Sequence, residues 1–199
     1  MGLFDQIIPL IVFCATAVFT PGPNNVMVTA SGVNFGFVRT VPHILGIAVG
    51  FALMNLMVGL GLGSVFEMYP QIHVVLKYVG IAYLVFLAWK IATSGEVKGG
   101  KARAKPFTFL QAAAFQWVNP KAWAIAVGAV ATFTTLRGDL LVEVAVMSAI
   151  FFLVTFPSAG TWAVFGLFIG RFLHTPGRLK AFNWFMAGLL LLSIIPAVV

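Results

Sequence analysis

From Gln6 to Val38 the chain carries no charged side chain, and from Thr40 to Phe66 it again carries none. Gaps of this length constrain the fold more than anything else in the sequence. A helix needs about 20 mostly apolar residues to cross roughly 30 Å of hydrocarbon. A water-soluble domain carries about 25% charged residues, whereas this chain has 9% and is 61% hydrophobic. It cannot cover a globular surface with groups that water solvates. The expected product is an all-α integral membrane protein, with no stretch left over for a soluble domain.

The gaps predict six spans, at about residues 6–28, 40–66, 72–91, 107–134, 144–170 and 181–199, with a polar stretch around Ser31, Asn34 and Gly36 after the first. Lys and Arg in short loops set orientation. The loops after spans one, three and five hold Arg39; Lys90, Lys98, Lys101, Arg103 and Lys105; and Arg171, Arg178 and Lys180. The opposite side receives Lys77 and Arg137, and the acids Asp5, Glu67, Asp139 and Glu143 also fall on that side. The first set therefore faces the cytoplasm and both termini lie outside. The net charge of +7 belongs to these loops rather than to a basic face on a soluble fold, which argues against a nucleic-acid partner. The segment before Ala15-Thr16-Ala17 has no Lys or Arg, so it reads as a retained first helix rather than a removable signal. The lone Cys14 reads as a small buried apolar residue.

Two spans are interrupted. Span one contains Thr20-Pro21-Gly22-Pro23-Asn24-Asn25, and span four contains Gln116-Trp117-Val118-Asn119-Pro120-Lys121. Each proline removes a backbone donor and clashes with the preceding turn. Unmet backbone groups cost several kcal/mol each in lipid, so such breaks must be buried in protein or face a water-filled cavity. Lys121 is the one charge placed deep in a span, at an insertion cost of about 2.5–3.5 kcal/mol; charges at such depth mark pathways. The breaks fall in the first span of each half, as expected for a secondary transporter with inverted repeats. Three spans per half is an odd number, so the second half enters the membrane from the opposite side. Lys77–Leu84 in span three can also be laid on Asn183–Leu190 in span six. The domain reading is residues 1–93 as the first repeat, 94–106 as a basic cytoplasmic linker and 107–199 as the second repeat. A broken helix offers positive and negative half-helix ends side by side, an arrangement suited to a small zwitterion.

The remaining features read as packing first. Gly46-x-x-x-Gly50 allows close helix approach, extended by Gly59, Gly61 and Gly63. Asn55 is polar at mid-span with no evident partner, and could bond across helices or line a cavity. Pro157-Ser158 reads as a third bend, with Thr155, Ser158 and Thr161 as hydroxyls beside it; a kink with local backbone satisfaction is the default reading and pathway lining the alternative. Trp117 and Trp123 flank the second break, where they could touch a substrate. His43, His73 and His174 have no second ligand at metal spacing, so no metal or other cofactor is expected. No G-x-x-x-x-G-K-[ST] motif is present, and no Ser–His or Cys–His pair suggests an enzyme.

Pro21-Gly22-Pro23-Asn24-Asn25, Lys77-Tyr78-Val79-Gly80-Ile81-Ala82-Tyr83-Leu84 and Val118-Asn119-Pro120-Lys121, in this order along the chain, resemble the LysE/RhtB amino-acid exporter family. Ala88–Ser94, the doubled asparagine and Lys105-Pro106 look most like its cysteine and O-acetylserine exporter branch. The resemblance implies efflux of amino acids or close derivatives across the bacterial inner membrane, driven by the proton gradient. Some members carry an acid in span five, where this chain reads Thr155-Phe156-Pro157-Ser158.

The expected function is thus a secondary exporter of small amino acids, with the lipid bilayer and the substrate as its partners; a homo-oligomer is compatible with this. The candidate substrate site is Thr20, Pro21, Gly22, Pro23, Asn24 and Asn25 with Gln116, Asn119, Pro120 and Lys121. A passive pore for small polar solutes is the alternative, and an accessory subunit without transport of its own is a third reading.

Overall fold

The computed structural model describes residues 3–62, 68–94, 97–98, 101–102, 105–134 and 139–193. Gly63, Glu67, Arg103, Arg137 and the end of the sixth expected span, along with the side chains of Asp5 and His73, lie outside the described residues. The helices are α1 (Leu3–Phe19), α2 (Pro23–Phe35), α3 (Phe37–Met57), α4 (Pro70–Ala92), α5 (Phe109–Gln116), α6 (Pro120–Phe133), α7 (Leu140–Gly170) and α8 (Pro176–Leu192). A π-helical turn, Val58–Leu62, extends α3. The linker holds a two-residue antiparallel hairpin, β1 (Val97–Lys98) with β2 (Lys101–Ala102).

Both expected interruptions are real. The first divides span one into α1 and α2, bent by 59°, and the second divides span four into α5 and α6. By length and composition, Phe37–Leu62 and Leu140–Gly170 are each apolar enough to cross a membrane, and the bent pair α1–α2 makes a third such unit among the described residues. One local expectation needs correction. Ser31 and Asn34 do not follow the first span; they lie inside α2 because the chain restarts as a helix at Pro23, where proline's missing donor costs nothing. α7 continues as a helix through Pro157. Glu143 sits in the first turn of α7, whose N-cap Asp139 accepts hydrogen bonds from the Leu141 and Val142 amides, and it is buried.

Small residues set the packing. A Cβ on Gly32 would strike the Ala163 carbonyl, and one on Gly166 would strike the Thr29 carbonyl. α2 and α7 therefore meet backbone to backbone. The Gly46/Gly50 pair does the same for α3 against α5, where a Cβ on Gly50 would lie 2.6 Å from Ala113 Cα. Lipid gives helices no hydrophobic reason to associate, so close van der Waals packing through small residues carries the contact. Gly36 joins α2 to α3 with φ 77°, a left-handed conformation that costs other residues about 1–2 kcal/mol. Cys14 and Leu10 of α1 are buried with Phe51, Ala126 and Phe151. A second cluster joins Leu84, Leu87 and Ala88 of α4 to Met186, Ala187 and Leu190 of α8. Large apolar side chains such as Ile8, Leu110, Leu153 and Trp184 stand exposed, at 60–74% of their surface, as a lipid-facing surface requires.

The close approaches give a direct test. Gly50→Leu should cost at least about 1–3 kcal/mol, since the atoms it meets are backbone and cannot rotate away. Gly188→Ala, with nothing within 4 Å of the added carbon, should be neutral or gain up to about 1 kcal/mol. Thermal unfolding in detergent reads both, and equal melting temperatures for Gly50→Leu and the wild type would refute the packing account.

Candidate functional site

The site begins with a backbone deficit. In an unbroken helix the Ala17 and Phe19 carbonyls would accept from residues 21 and 23, but both are proline and have no N–H. The 59° bend also takes the Val18 and Thr20 carbonyls out of helical register. Side chains from three elements donate to the carbonyls of Val18, Thr20 and Pro21 at this break. Asn25 Nδ2 donates to the Val18 carbonyl at 3.0 Å and to the Thr20 carbonyl at 2.9 Å. Ser158 Oγ of α7 donates to the Val18 carbonyl at 3.1 Å. Lys121 Nζ of α6 reaches across to donate to the Thr20 carbonyl at 2.7 Å and to the Pro21 carbonyl at 3.3 Å. A cation at the C-terminal end of α1 also sits favourably at the negative end of the helix dipole.

The second break is sealed more locally. Thr108 and Gln111 form a capping box at the start of α5. The amides of Trp117, Val118 and Asn119 tighten into i→i−3 hydrogen bonds. Asn119 caps α6, its Oδ1 accepting from the Lys121 amide at 3.2 Å, while Pro120 takes the first helical position. Trp123 Nε1 donates to the Trp117 carbonyl at 2.8 Å. The two tryptophans thus brace the break and do not line the cavity described below. The breaks are joined directly by a reciprocal amide pair: Asn24 Nδ2 donates to Gln116 Oε1 at 2.8 Å, and Gln116 Nε2 donates to Asn24 Oδ1 at 3.1 Å.

Between them lies a cavity of about 30 Å³, room for about one or two water molecules. Gly22, Pro23, Asn24, Asn25, Asn119 and Lys121 line it, with Thr155 and Ser158 of α7. Of the other expected site residues, Thr20 and Pro21 contribute carbonyls to Lys121, Gln116 holds Asn24, and Pro120 is exposed on the outer side of its turn. Gly22 is extended, at φ −174°, so its need for glycine is not conformational. A Cβ there would lie 2.9 Å from Lys121 Cδ and 3.0 Å from Nζ. The lysine passes over Gly22 to reach the carbonyls.

A second polar layer is legible in the sequence only in part, through Ser31, Asn34 and the expectation that Asn55 bonds across helices. Asn34 and Asn183 exchange amide hydrogen bonds of 2.7 and 3.0 Å, and Asn183 also donates to the Ser94 carbonyl at 2.7 Å. Ser31 Oγ lies 3.0 Å from His43 Nδ1. Asn55 donates to Ser148 Oγ at 3.1 Å. The three-to-four-residue spacing of polar side chains from Asn24 to Asn34 also signals this layer in the sequence. Among the described residues no group of three or more His, Cys, Asp or Glu could hold a metal ion.

The amide pair across the breaks should be measurable. A double-mutant cycle of Asn24→Ala with Gln116→Ala should give a coupling of about 1 kcal/mol in unfolding free energy. Strictly additive effects would mean that the pair does not hold the breaks together.

The model of the LysE type translocator family matches residues 15–195. Cysteine/O-acetylserine efflux proteins of Escherichia coli K12 and Shigella flexneri serotype 5b are each 32% identical over 159 residues, covering 80% of this chain and 81% of the relative. The protein of that name from Escherichia coli O1:K1 is 31% identical over the same length. No solved structure matches the chain. The paired breaks, the apolar helices and the family match agree: the chain belongs to the LysE type translocator family and is a membrane transport protein, not an enzyme.

Proposed function

We propose that this protein is a secondary exporter of small amino acids and their close derivatives across the bacterial inner membrane, coupled to protons. Its chain is read as six spans in two inverted three-helix repeats, residues 1–93 and 107–199, joined by the cytoplasmic linker 94–106, with both termini outside. Helix pairing supports the repeat. Each half reads as two short helices, then two longer ones, α1–α4 and α5–α8. The corresponding helices α3 and α7 pack together, as do α4 and α8, and α1 packs on α7 as α5 packs on α3. A two-fold axis in the membrane plane would produce such exchanged pairs.

The observation that carries the proposal is the reach of Lys121 from one break to the carbonyls of the other. The C-terminal carbonyls of α1 suit an ammonium group. The N-terminal turn of α2 and the Lys121 ammonium suit a carboxylate. Lys121 Nζ holds the carbonyls that a substrate ammonium would take. Binding would exchange the partners: the substrate ammonium takes the α1 carbonyls and Lys121 turns to the carboxylate. The cavity must widen to load a substrate.

Purified protein in liposomes loaded with labelled cysteine tests this reading. Efflux against a concentration gradient should follow an imposed pH gradient and stop with an uncoupler. Lys121→Ala and Asn24→Ala should each reduce it at least about tenfold at unchanged protein level, a loss of roughly 1.4 kcal/mol or more in transition-state stabilisation. Full transport by both variants would remove the site assignment. Purely downhill flux, indifferent to the uncoupler, would make the protein a passive pore.

A further inference from the structure

Four buried side-chain polar atoms among the described residues make no hydrogen bond: Gln6 Oε1, His43 Nε2, Asn55 Oδ1 and Thr155 Oγ1. Of these four residues only Thr155 lines the cavity between the breaks. It is 4% exposed, so water does not satisfy it from outside. A threonine inside a helix has an easy local solution, which is to donate back to the carbonyl four residues earlier. Thr16, Thr20, Thr40, Thr93, Thr134 and Thr161 all do so. Thr155 does not. Its neighbour Ser158, one turn on, is already committed to the Val18 carbonyl. Asn25, Asn119 and Lys121 are likewise engaged with backbone, and Asn24 with Gln116. Thr155 Oγ1 is therefore, among the described residues, the buried side-chain polar atom of a cavity-lining residue that is left without a partner.

A buried hydroxyl without a partner is costly, and a site that keeps one is built for a ligand group. We propose that Thr155 is the specificity-determining residue of the exporter, its hydroxyl hydrogen-bonding a heteroatom at the γ position of the substrate side chain. The inference rests on the reading of the cavity as the amino-acid site. Carboxylate and ammonium are answered by the helix ends and Lys121 on one side. α7 contributes Thr155, Ser158 and Ala159 to the same cavity, and Thr155 is the one of these that is free to meet what the side chain presents. A hydroxyl can serve as donor or acceptor to a γ oxygen or sulfur. A γ methyl would leave the hydroxyl unpaired, so the site discriminates between isosteres.

The test is transport in proteoliposomes of two isosteric substrates, cysteine and 2-aminobutyrate, whose γ methyl replaces the sulfur. The wild type should favour cysteine. Thr155→Val keeps the shape and removes the hydroxyl. It should raise the KM for cysteine about tenfold, leave 2-aminobutyrate unchanged or improved, and so erase the preference. Thr155→Ser should restore it. An equal loss on both substrates would assign Thr155 to packing, and an unaltered preference would remove it from recognition; either result overturns this inference while the exporter reading stands. Failure of the wild type to move either amino acid would overturn both.

Discussion

A carbonyl that has lost its donor cannot be left facing hydrocarbon, and the two breaks create several at once. Pro21 and Pro23 strip donors from the end of α1, and the bend displaces two further carbonyls. The repair comes from Asn25 on the next helix, Ser158 on α7 and Lys121 on α6. Those three side chains tie four helices to one short stretch of backbone. α2 and α7 also approach each other backbone to backbone, which Gly32 and Gly166 permit.

The same constraint explains why α2 is polar where a membrane helix is ordinarily apolar. Its side chains bond to every neighbour in turn: Asn24 to Gln116 of α5, Asn25 to α1, Thr29 to the Trp162 carbonyl of α7, Ser31 to His43 of α3, and Asn34 to Asn183 of α8. Away from water each of these groups requires a partner, and the partners are provided one helix at a time. A thirteen-residue segment is thereby held from all sides without a long apolar face of its own.

Much of this was legible in the chain. Membrane residence followed from the spacing of charges, and both breaks followed from proline chemistry. The part played by Lys121 was visible as a charge too deep to be idle, and Gly46 and Gly50 were correctly read as close-packing residues. What the sequence left hidden were matters of partnership. Asn183 sat in an apolar run with nothing to indicate Asn34, far away in sequence. Asn55 gave no hint of Ser148. Trp117 and Trp123 suggested substrate contact by proximity to the break, yet one indole is spent on the other's carbonyl. Pro157 suggested a bend; α7 continues as a helix through it, and Thr161 Oγ1 bonds to the Pro157 carbonyl.

By itself, then, the sequence determined the solvent, the helical class and the places where helices must stop. Those are local properties, set by apolar run length and by whether a residue owns an N–H. Only the tertiary structure decided which side chain repairs which carbonyl, because that depends on which helices lie side by side. Lys121 bonding to Thr20 and Pro21, Asn24 paired with Gln116, and Thr155 left without a partner are all facts of that kind. A threonine is unremarkable in any apolar helix; it becomes informative once the six threonines that bond back along their own helices are set beside the one on the cavity wall that does not.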